Sequence, residues 1–183
     1  GAVVDVAVYE PLMFIIGDMV LRYTALGEVQ GRIGNDTGAA SPRGIYRAAD
    51  GKYLAIAASS QTIAARLFAA MGQPDLIKDP RFATNAARLA NNELVQKQVS
   101  DWVGSLPRDQ VLAILEEHEV VSSPVNDASD IVVDPHFLER TLVQITGNEK
   151  LKSVLMPGPV LHMSSYAGPE YHGVPEIGEH THT

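Results

Sequence analysis

The stretch GIYRAADGKYLAIAA, residues 44–58, determines how the middle of the chain folds. Two runs of strand-forming residues flank Asp50 and Gly51, and an Asp-Gly pair favours the positive φ angles of a type I′ turn. The stretch therefore predicts a β-hairpin. Asp50 is better explained as a turn residue than as a catalytic acid or base.

Three helical patterns follow the hairpin. Apolar residues recur at helical spacing in residues 61–71, in residues 91–106 and in residues 107–120. Pro107 suits a first helical turn, and Ser105 is a plausible cap for the third helix. An antiparallel hairpin sheet packed with about three helices predicts an α+β fold that contains a small α/β domain.

The N-terminal residues are almost continuously apolar. We expect the end of a buried strand at residues 1–4 and a helix that runs to about Leu26, beginning either after a cap at Asp5 or near Pro11. Charged residues interrupt the run, so it does not predict a membrane span, which needs roughly 20 mostly apolar residues. Such an apolar helix should be buried, and its partners must come from elsewhere in the chain, a second copy or a preceding segment.

Composition excludes some classes of function. The formal net charge is -8, and no basic cluster is present that could bind nucleic acid. The chain has no cysteine, which excludes a disulfide framework and thiolate chemistry and fits a reducing cytoplasm. No signal peptide is predicted, because the N-terminal run lacks a basic region and a small-residue cleavage site. No structural metal site is predicted, because the alternating histidines at the C-terminus lack a fixed coordination shell.

Residues 27–44 are rich in glycine and have no hydrophobic period. We call them the glycine-rich segment. Backbone N–H groups in such a segment can approach an anionic ligand closely, but the sequence matches neither a dinucleotide-binding nor a phosphate-binding glycine motif. Read from its residues alone, the segment favours a connecting loop over a ligand-binding loop.

One phrase occurs twice, as DLIKDPRF at residues 75–82 and as DIVVDPHF at residues 130–137. The flanking sequences do not match, so the phrase does not indicate an internal duplication. Proline disfavours helical backbone at the preceding aspartate, whose carboxylate can accept N–H groups of the next turn. We therefore interpret both copies as turns, each anchored by its phenylalanine, Phe82 or Phe137.

Several motifs in order resemble the family III CoA-transferases, the group that includes formyl-CoA, carnitine and bile-acid CoA-transferases. The resembling stretches are GAVVDVAVYE, GRIGND, YRAADGKYLAIAA, MGQPDLIKDPRF with the following R..N, VVSSPVND, DPHFLER and PEIGEHT. They extend over almost the whole chain. Each is weak alone, and their order makes the resemblance specific.

The resemblance implies a longer protein with a Rossmann-like CoA-binding domain, an inserted small domain and interlocked subunits. Residues 1–26 would be the last strand and helix of the N-terminal large-domain part, and residues 27–44 a linker or lid. Residues 45–128 would form the small α/β domain, and residues 129–183 would return to the large domain. The expected partners are acyl-CoA, a small carboxylate and a second copy of the chain in a homodimer or higher oligomer.

The family mechanism uses an aspartate that attacks acyl-CoA and passes through an aspartyl-CoA thioester. The resemblance places that aspartate upstream of Gly1, so no catalytic residue is expected here and the isolated chain should be inactive. Coenzyme A would be a substrate of the full-length protein, with no tightly bound cofactor. The candidate residues for the loop that covers the substrate are Gly34, Asn35, Thr37, Gly38, Ala39, Ser60 and Gln61.

Two alternatives remain open. A non-catalytic binding or assembly module could keep the small domain and associate through its N-terminal helix. An isomerase similar to α-methylacyl-CoA racemase is disfavoured, because Ser60 stands where that relative carries a glutamate and racemisation needs acid and base groups on both sides of the carbon.

Overall fold

The computed structural model has an α+β fold, as predicted. It describes residues 1, 3, 5–34, 38–146, 152–160, 162, 164, 165, 171, 173, 177, 178 and 181. Within these residues the chain forms eight α-helices and two small antiparallel sheets.

The N-terminal apolar run forms two helices, α1 (Tyr9–Ile15) and α2 (Gly17–Leu26). The predicted cap at Asp5 is wrong: α1 begins at Tyr9, and Pro11 lies in its first turn. The helix is interrupted at Ile16, whose φ of -94° and ψ of 14° leave the helical range. Gly27 ends α2 with a φ of 71°, a backbone conformation that favours glycine.

No residue of α1 or α2 is buried within the described part of the chain. Phe14 and Ile15 are 90% and 74% exposed. The burial that the sequence predicts for this helix is therefore not provided by the described residues. The strand predicted at residues 1–4 lies partly outside them, and residues 1 and 3 have no regular structure.

The central sheet contains three strands, β1 (Arg43–Arg47), β2 (Tyr53–Ala57) and β3 (Ser122–Val125). Its order is β1-β2-β3, and both pairs are antiparallel, with Ala55 opposite Ile45 on one side and opposite Ser123 on the other. The predicted hairpin is confirmed, and the third strand comes from a distant part of the chain.

The predicted type I′ turn is wrong. Gly51 has a φ of 82°, but Asp50 is not among the residues with positive φ, and a type I′ turn requires positive φ at both central positions. Asp50 keeps an ordinary conformation and accepts N–H groups from Lys52 and Arg108, each at 3.0 Å. These bonds tie the hairpin turn to the start of a later helix, and they confirm Asp50 as a turn residue.

Helices cover one face of the sheet. They are α3 (Gln61–Ala70), α4 (Asn85–Ala90), α5 (Asn92–Val103) and α6 (Arg108–Glu117), with a short 3₁₀ helix at Pro74–Lys78. All three predicted helices are present. The prediction for Ser105 is wrong, because its hydroxyl donates to the carbonyl of Trp102 at 2.6 Å and so serves the end of α5.

The core lies between this sheet face and the helices. Leu54, Phe68, Val99 and Leu115 each have at most 1% of their surface exposed. Their burial removes large apolar surfaces from water, which is the main favourable contribution to folding. The buried hydrophobic cluster consists of Tyr46, Ala48, Leu54, Ile56, Ala58, Leu67, Phe68, Met71, Phe82, Val95, Val99, Val103, Val111, Leu115 and Val120.

In both copies of the repeated phrase the aspartate before the proline caps the following turn, as predicted, but the second copy lies mostly in short helices. Phe82 belongs to the buried core, whereas the prediction that Phe137 is a core anchor is wrong, because this residue is only half-buried. Asp79 and Asp134 have extended backbone, with ψ of 127° and 122°. The Asp79 carboxylate accepts the N–H of Arg81 at 2.9 Å, and that of Asp134 accepts the N–H of His136 at 2.8 Å. The side-chain and backbone hydrogen bonds from Arg81 lower the pKa of Asp79 to about 2.

The residues after β3 form α7 (Ala128–Ile131), α8 (Pro135–Arg140) and a hairpin of β4 (Leu142–Thr146) with β5 (Ser153–Pro157). The alternating residues of RTLVQI, 140–145, predict the strand β4, whereas the proline-rich residues after Gly147 predict only extended backbone. The sequence analysis missed the pairing of β5 with β4.

An ionic cluster joins α7 to the central sheet. The carboxylate of Asp130 lies 3.2 Å from both Lys52 and Arg108, and Lys52 also lies 2.7 Å from Asp127. The Asp127 N–H and the Arg108 guanidinium lower the pKa of Asp130. Both cations thus bind one helix N-terminus, which fixes the chain direction after β3.

Candidate functional site at the end of the glycine-rich segment

The last residues of the glycine-rich segment lie against α4 and the start of α5. The Asn85 side chain donates to the carbonyl of Ala39 at 3.1 Å and accepts the N–H of Ser41 at 3.2 Å. The Ser41 hydroxyl donates to Asn92 at 2.7 Å. Ala40 and Ser41 are 8% and 0% exposed, so this end of the segment is part of the folded core.

Arg88 on α4 connects three separate parts of the chain. Its Nε donates to the carbonyl of Ser41, and its Nη1 donates to the carbonyl of Phe82 and to the Gln61 side chain, both at 2.9 Å. One planar guanidinium therefore binds the glycine-rich segment, the turn after Asp79 and the first residue of α3. We call Arg88 and these three acceptors the Arg88 clamp.

Arg88 is a buried cation with 0% of its surface exposed. Within the described part of the chain it forms no ion pair, and its Nη2 has no hydrogen-bond partner. Burial lowers the pKa of the guanidinium, but an arginine side chain stays protonated in proteins. Three oxygen dipoles stabilise the charge in place of a carboxylate.

The two candidates at the start of α3 have different structural roles. The Ser60 hydroxyl accepts the N–H of Ile63 at 3.2 Å and thereby caps α3. The Gln61 side chain accepts from Arg88 and donates to the carbonyl of Ala83 at 2.6 Å. Both the oxygen and the nitrogen of the Gln61 side-chain amide are therefore hydrogen-bonded. Arg88 links Gln61 to Ser41 of the glycine-rich segment.

Residues 28–33 of the glycine-rich segment lie beside α2. A cavity of about 350 Å³ lies there, lined by Arg22, Glu28, Val29, Gln30, Ile33 and Gly38. Arg22 and Glu28 form an exposed ion pair at 2.9 Å on its wall. Gly38, one of the residues that line the cavity, has a φ of 64°.

The structure brings some of the predicted loop residues together. Ala39 and Gln61 both contact the side chains of α4, and Ser60 adjoins Gln61. Gly34 has a φ of 62° and is exposed. Asn35 and Thr37 lie outside the described residues.

The sequence analysis missed Asn85, Arg88 and Asn92. These positions are spaced by three and four residues, so they share one side of a helical stretch, and polar residues on an otherwise apolar stretch can mark a buried polar contact. Arg88 belongs to the R..N pattern quoted for the family resemblance, but no structural role was predicted for it. Its spacing with two asparagines was the available signal.

These contacts hold a backbone segment against α4 and the start of α5. The described residues contain no group of three or more histidine, aspartate or glutamate side chains arranged to hold a metal ion. Among the helices that the structure describes, none is long and apolar enough to cross a membrane.

Comparison with known proteins identifies the family. The model of CoA-transferase family III matches residues 1–181. The chain is 32% identical to succinyl-CoA–D-citramalate CoA-transferase of Chloroflexus aurantiacus, a match that covers 98% of this chain and 45% of the relative. It is 31% identical to the alpha subunit of succinyl-CoA–L-malate CoA-transferase of Chloroflexus aurantiacus, over 100% of this chain and 42% of the relative.

A solved structure agrees with this result. The crystal structure of a CAIB/BAIF family protein from Brucella suis matches with a TM-score of 0.78 and 26% identity, covering 95% of this chain and 44% of that one. The chain belongs to CoA-transferase family III. It spans less than half the length of the relatives it matches.

Proposed function

We propose that this chain is the small-domain part of an enzyme that transfers CoA from an acyl-CoA to a carboxylate through an aspartyl intermediate. The match of the family model to residues 1–181 carries the proposal. In this assignment residues 45–128 are the small domain, residues 27–44 the lid, and residues 1–26 and 129–183 parts of the large domain. The enzyme would act in the cytoplasm.

The relatives favour a dicarboxylic substrate. The two Chloroflexus proteins are named for succinyl-CoA with D-citramalate or with L-malate. We therefore infer succinyl-CoA as the first donor to test and these two acids as the first acceptors. In this assignment, coenzyme A thioesters are substrates and no other cofactor is needed.

The reacting aspartate would be supplied by a part of the protein outside residues 1–183, and this chain would supply the cover. The glycine-rich segment suits that role, because its end at Ser41 is fixed by the Arg88 clamp while Gly34 and Gly38 have backbone conformations that favour glycine. The fixed end would join such a cover to the core beneath it. The loop candidates keep their proposed role near the substrate; they are Gly34, Asn35, Thr37, Gly38, Ala39, Ser60 and Gln61.

The test compares two proteins. The complete reading frame that contains this sequence is incubated with succinyl-CoA and L-malate or D-citramalate, and the CoA thioesters are separated by liquid chromatography. We expect transfer by the complete protein and none by residues 1–183. Mass spectrometry of the 183-residue chain after incubation with succinyl-CoA should show no covalent adduct. A stable adduct would place the nucleophile within this chain and contradict the assignment.

The exposed apolar helices favour association as a second property. Phe14 and Ile15 on α1 and Leu21 on α2 are 90%, 74% and 67% exposed, and a monomer with such a surface is prone to self-association. We infer a homodimer or higher oligomer, whether the chain acts as a part of the enzyme or as the non-catalytic assembly module. Light scattering should give at least twice the monomer mass, and a monodisperse monomer would refute this inference.

A further inference from the structure

We propose that the bond between Asp50 and Gly51 is a site of isoaspartate formation, and that the N–H of Arg108 suppresses this reaction in the folded chain. Residues 50 and 51 are the single Asp-Gly pair of the sequence, and the sequence has no Asn-Gly pair. Glycine has no side chain to hinder close approach of its own nitrogen, which makes such pairs reactive. The proposal concerns the chemistry of the chain itself and does not depend on the proposed function.

The reaction is an intramolecular acyl transfer. The backbone nitrogen of Gly51 attacks the side-chain carboxyl carbon of Asp50, and a C–N bond forms. The proton of that nitrogen and the carboxyl hydroxyl leave together as water, which gives a succinimide. A second water then adds to the main-chain carbonyl of Asp50 and breaks its bond to the Gly51 nitrogen. The main chain now runs through the β-carbon of residue 50, and the mass of the chain is unchanged.

The structure keeps both reacting groups in other hydrogen bonds. The Gly51 N–H donates to the carbonyl of Ala48 at 3.0 Å. The Asp50 carboxylate accepts the N–H of Lys52 with Oδ1 and the N–H of Arg108 with Oδ2, each at 3.0 Å. Ring closure requires the carboxyl group to turn away from both donors and the Gly51 N–H to leave its acceptor. Each of these bonds therefore raises the barrier to cyclisation.

The bond from Arg108 differs from the other two because it joins distant parts of the chain. Ala48 and Lys52 belong to the same hairpin turn as Asp50, whereas Arg108 is the first residue of α6. Pro107 stands at the N-cap of α6 and provides no side-chain hydrogen bond, so the carboxylate of Asp50 supplies the acceptor that the helix lacks. The N-terminal end of a helix also favours a negative charge. The position of α6 thus determines where the carboxylate lies.

The same hydrogen bond also opposes the departure of the carboxyl oxygen. A protonated carboxyl group loses its oxygen as water, whereas a carboxylate does not. The hydrogen bond from the Arg108 N–H lowers the pKa of Asp50. The reactive protonated form is therefore less populated in the folded chain than in the unfolded chain. Asp50 is exposed, so water can reach a succinimide at this position and complete the reaction.

The test measures isoaspartate at residue 50 during incubation of the 183-residue chain at constant pH and temperature. The peptides of a proteolytic digest are separated by liquid chromatography, and electron-based fragmentation distinguishes the two isomers of equal mass. The wild type should isomerise more slowly when folded than in urea. Arg108→Pro removes the N–H at a first helical position, where proline is well accepted. It should speed isomerisation in the folded chain by roughly 3- to 30-fold, the range expected for losing a hydrogen bond to an exposed carboxylate.

Arg108→Ala is the matched control. Both variants lose the guanidinium and its contact with Asp130, but Arg108→Ala keeps the N–H that Asp50 accepts. We expect Arg108→Ala to isomerise at the wild-type rate in the folded chain. A difference between the two variants therefore isolates the contribution of the backbone N–H from that of the ionic cluster.

Each outcome decides one part of the proposal. Equal rates in Arg108→Pro and Arg108→Ala would overturn the role of the Arg108 N–H. Equal rates in the folded and the urea-unfolded wild type would overturn the suppression, and absence of isoaspartate in both would overturn the site. If Arg108→Pro does not fold, hydrogen exchange at the Arg108 N–H of the wild type, measured by NMR, decides instead. Protection of this amide by the factor that slows isomerisation supports the proposal, and an unprotected amide contradicts it.

Discussion

Replacing Phe82 by alanine should strongly destabilise the chain, whereas the same change at Phe137 should not. The two residues occupy the same place in the two copies of the repeated phrase. Phe82 is 2% exposed, and its ring centroid lies 6.0 Å from that of Phe68, which is 1% exposed. Phe137 is only half-buried and contacts the ring of His136.

The magnitudes follow from burial. Removing a buried phenylalanine costs about 3–5 kcal/mol, because transfer free energy is lost and a cavity remains. Full burial of such a side chain contributes about 1.5–3 kcal/mol, so the half-buried Phe137 should cost on the order of 1 kcal/mol. Phe82→Leu keeps most of the volume and should cost under about 1.5 kcal/mol.

Urea unfolding provides the measurement. Trp102 is the single tryptophan of the chain and packs against the core, so its fluorescence should report unfolding of the domain that contains Phe82. The free energy of unfolding should be largest for the wild type, smaller for Phe137→Ala and smallest for Phe82→Ala. A difference below about 1 kcal/mol between the two alanine variants would refute the assignment of Phe82 as the core anchor.

Three further predictions concern glycines and acid. Gly72→Ala should lower stability by about 1–2 kcal/mol, because the φ of 72° is unfavourable for a residue with a Cβ. No atom lies within 4 Å of the position of that Cβ, so the cost comes from the backbone alone. Thermal unfolding should show a smaller loss for Gly72→Asn, since asparagine adopts positive φ more readily. Gly104 has an ordinary φ, but a Cβ at this position would lie 3.0 Å from the carbonyl oxygen of Ser100. Gly104→Ala should therefore cost about 1–3 kcal/mol through overpacking. Gly104→Asn should lose at least as much stability in the same thermal unfolding assay. The pKa of Asp130 is lowered in the folded chain, so the unfolded chain takes up protons first as the pH falls below about 3.9, and stability falls with it. The urea midpoint should show a shallower loss between pH 5 and pH 2 in Asp130→Asn, and an unchanged slope would contradict the ionic cluster.

Local patterns were sufficient for much of the fold. The hairpin at residues 44–58 and the helices after it follow from alternating or helical periods, which depend only on neighbours in sequence. The proline two residues earlier predicted Phe82 as an anchor, but the same reasoning was wrong for Phe137, which is only half-buried. Local patterns were less accurate for the exact limits of helices. At Ile16, for example, the single predicted helix is divided into α1 and α2.

The Arg88 clamp could not be derived in the same way. Two of its acceptors are the backbone carbonyls of Ser41 and Phe82, and a carbonyl leaves no signature in the sequence. The pairing of β5 with β4 is likewise set by the tertiary path of the chain. The family resemblance supplied an expectation that local patterns lacked, namely that the glycine-rich segment covers a substrate rather than only connecting two elements.

The order of the central sheet also affects how the protein is made. β2 lies between β1, which precedes it directly, and β3, which begins only at Ser122. During synthesis from the N-terminus, the outer edge of β2 stays without its strand partner until all the helices from α3 to α6 have emerged from the ribosome. An unpaired strand edge is a template for pairing with other chains. Translation pauses before β3 has emerged from the ribosome should therefore increase aggregation of nascent chains, whereas pauses after its emergence should not.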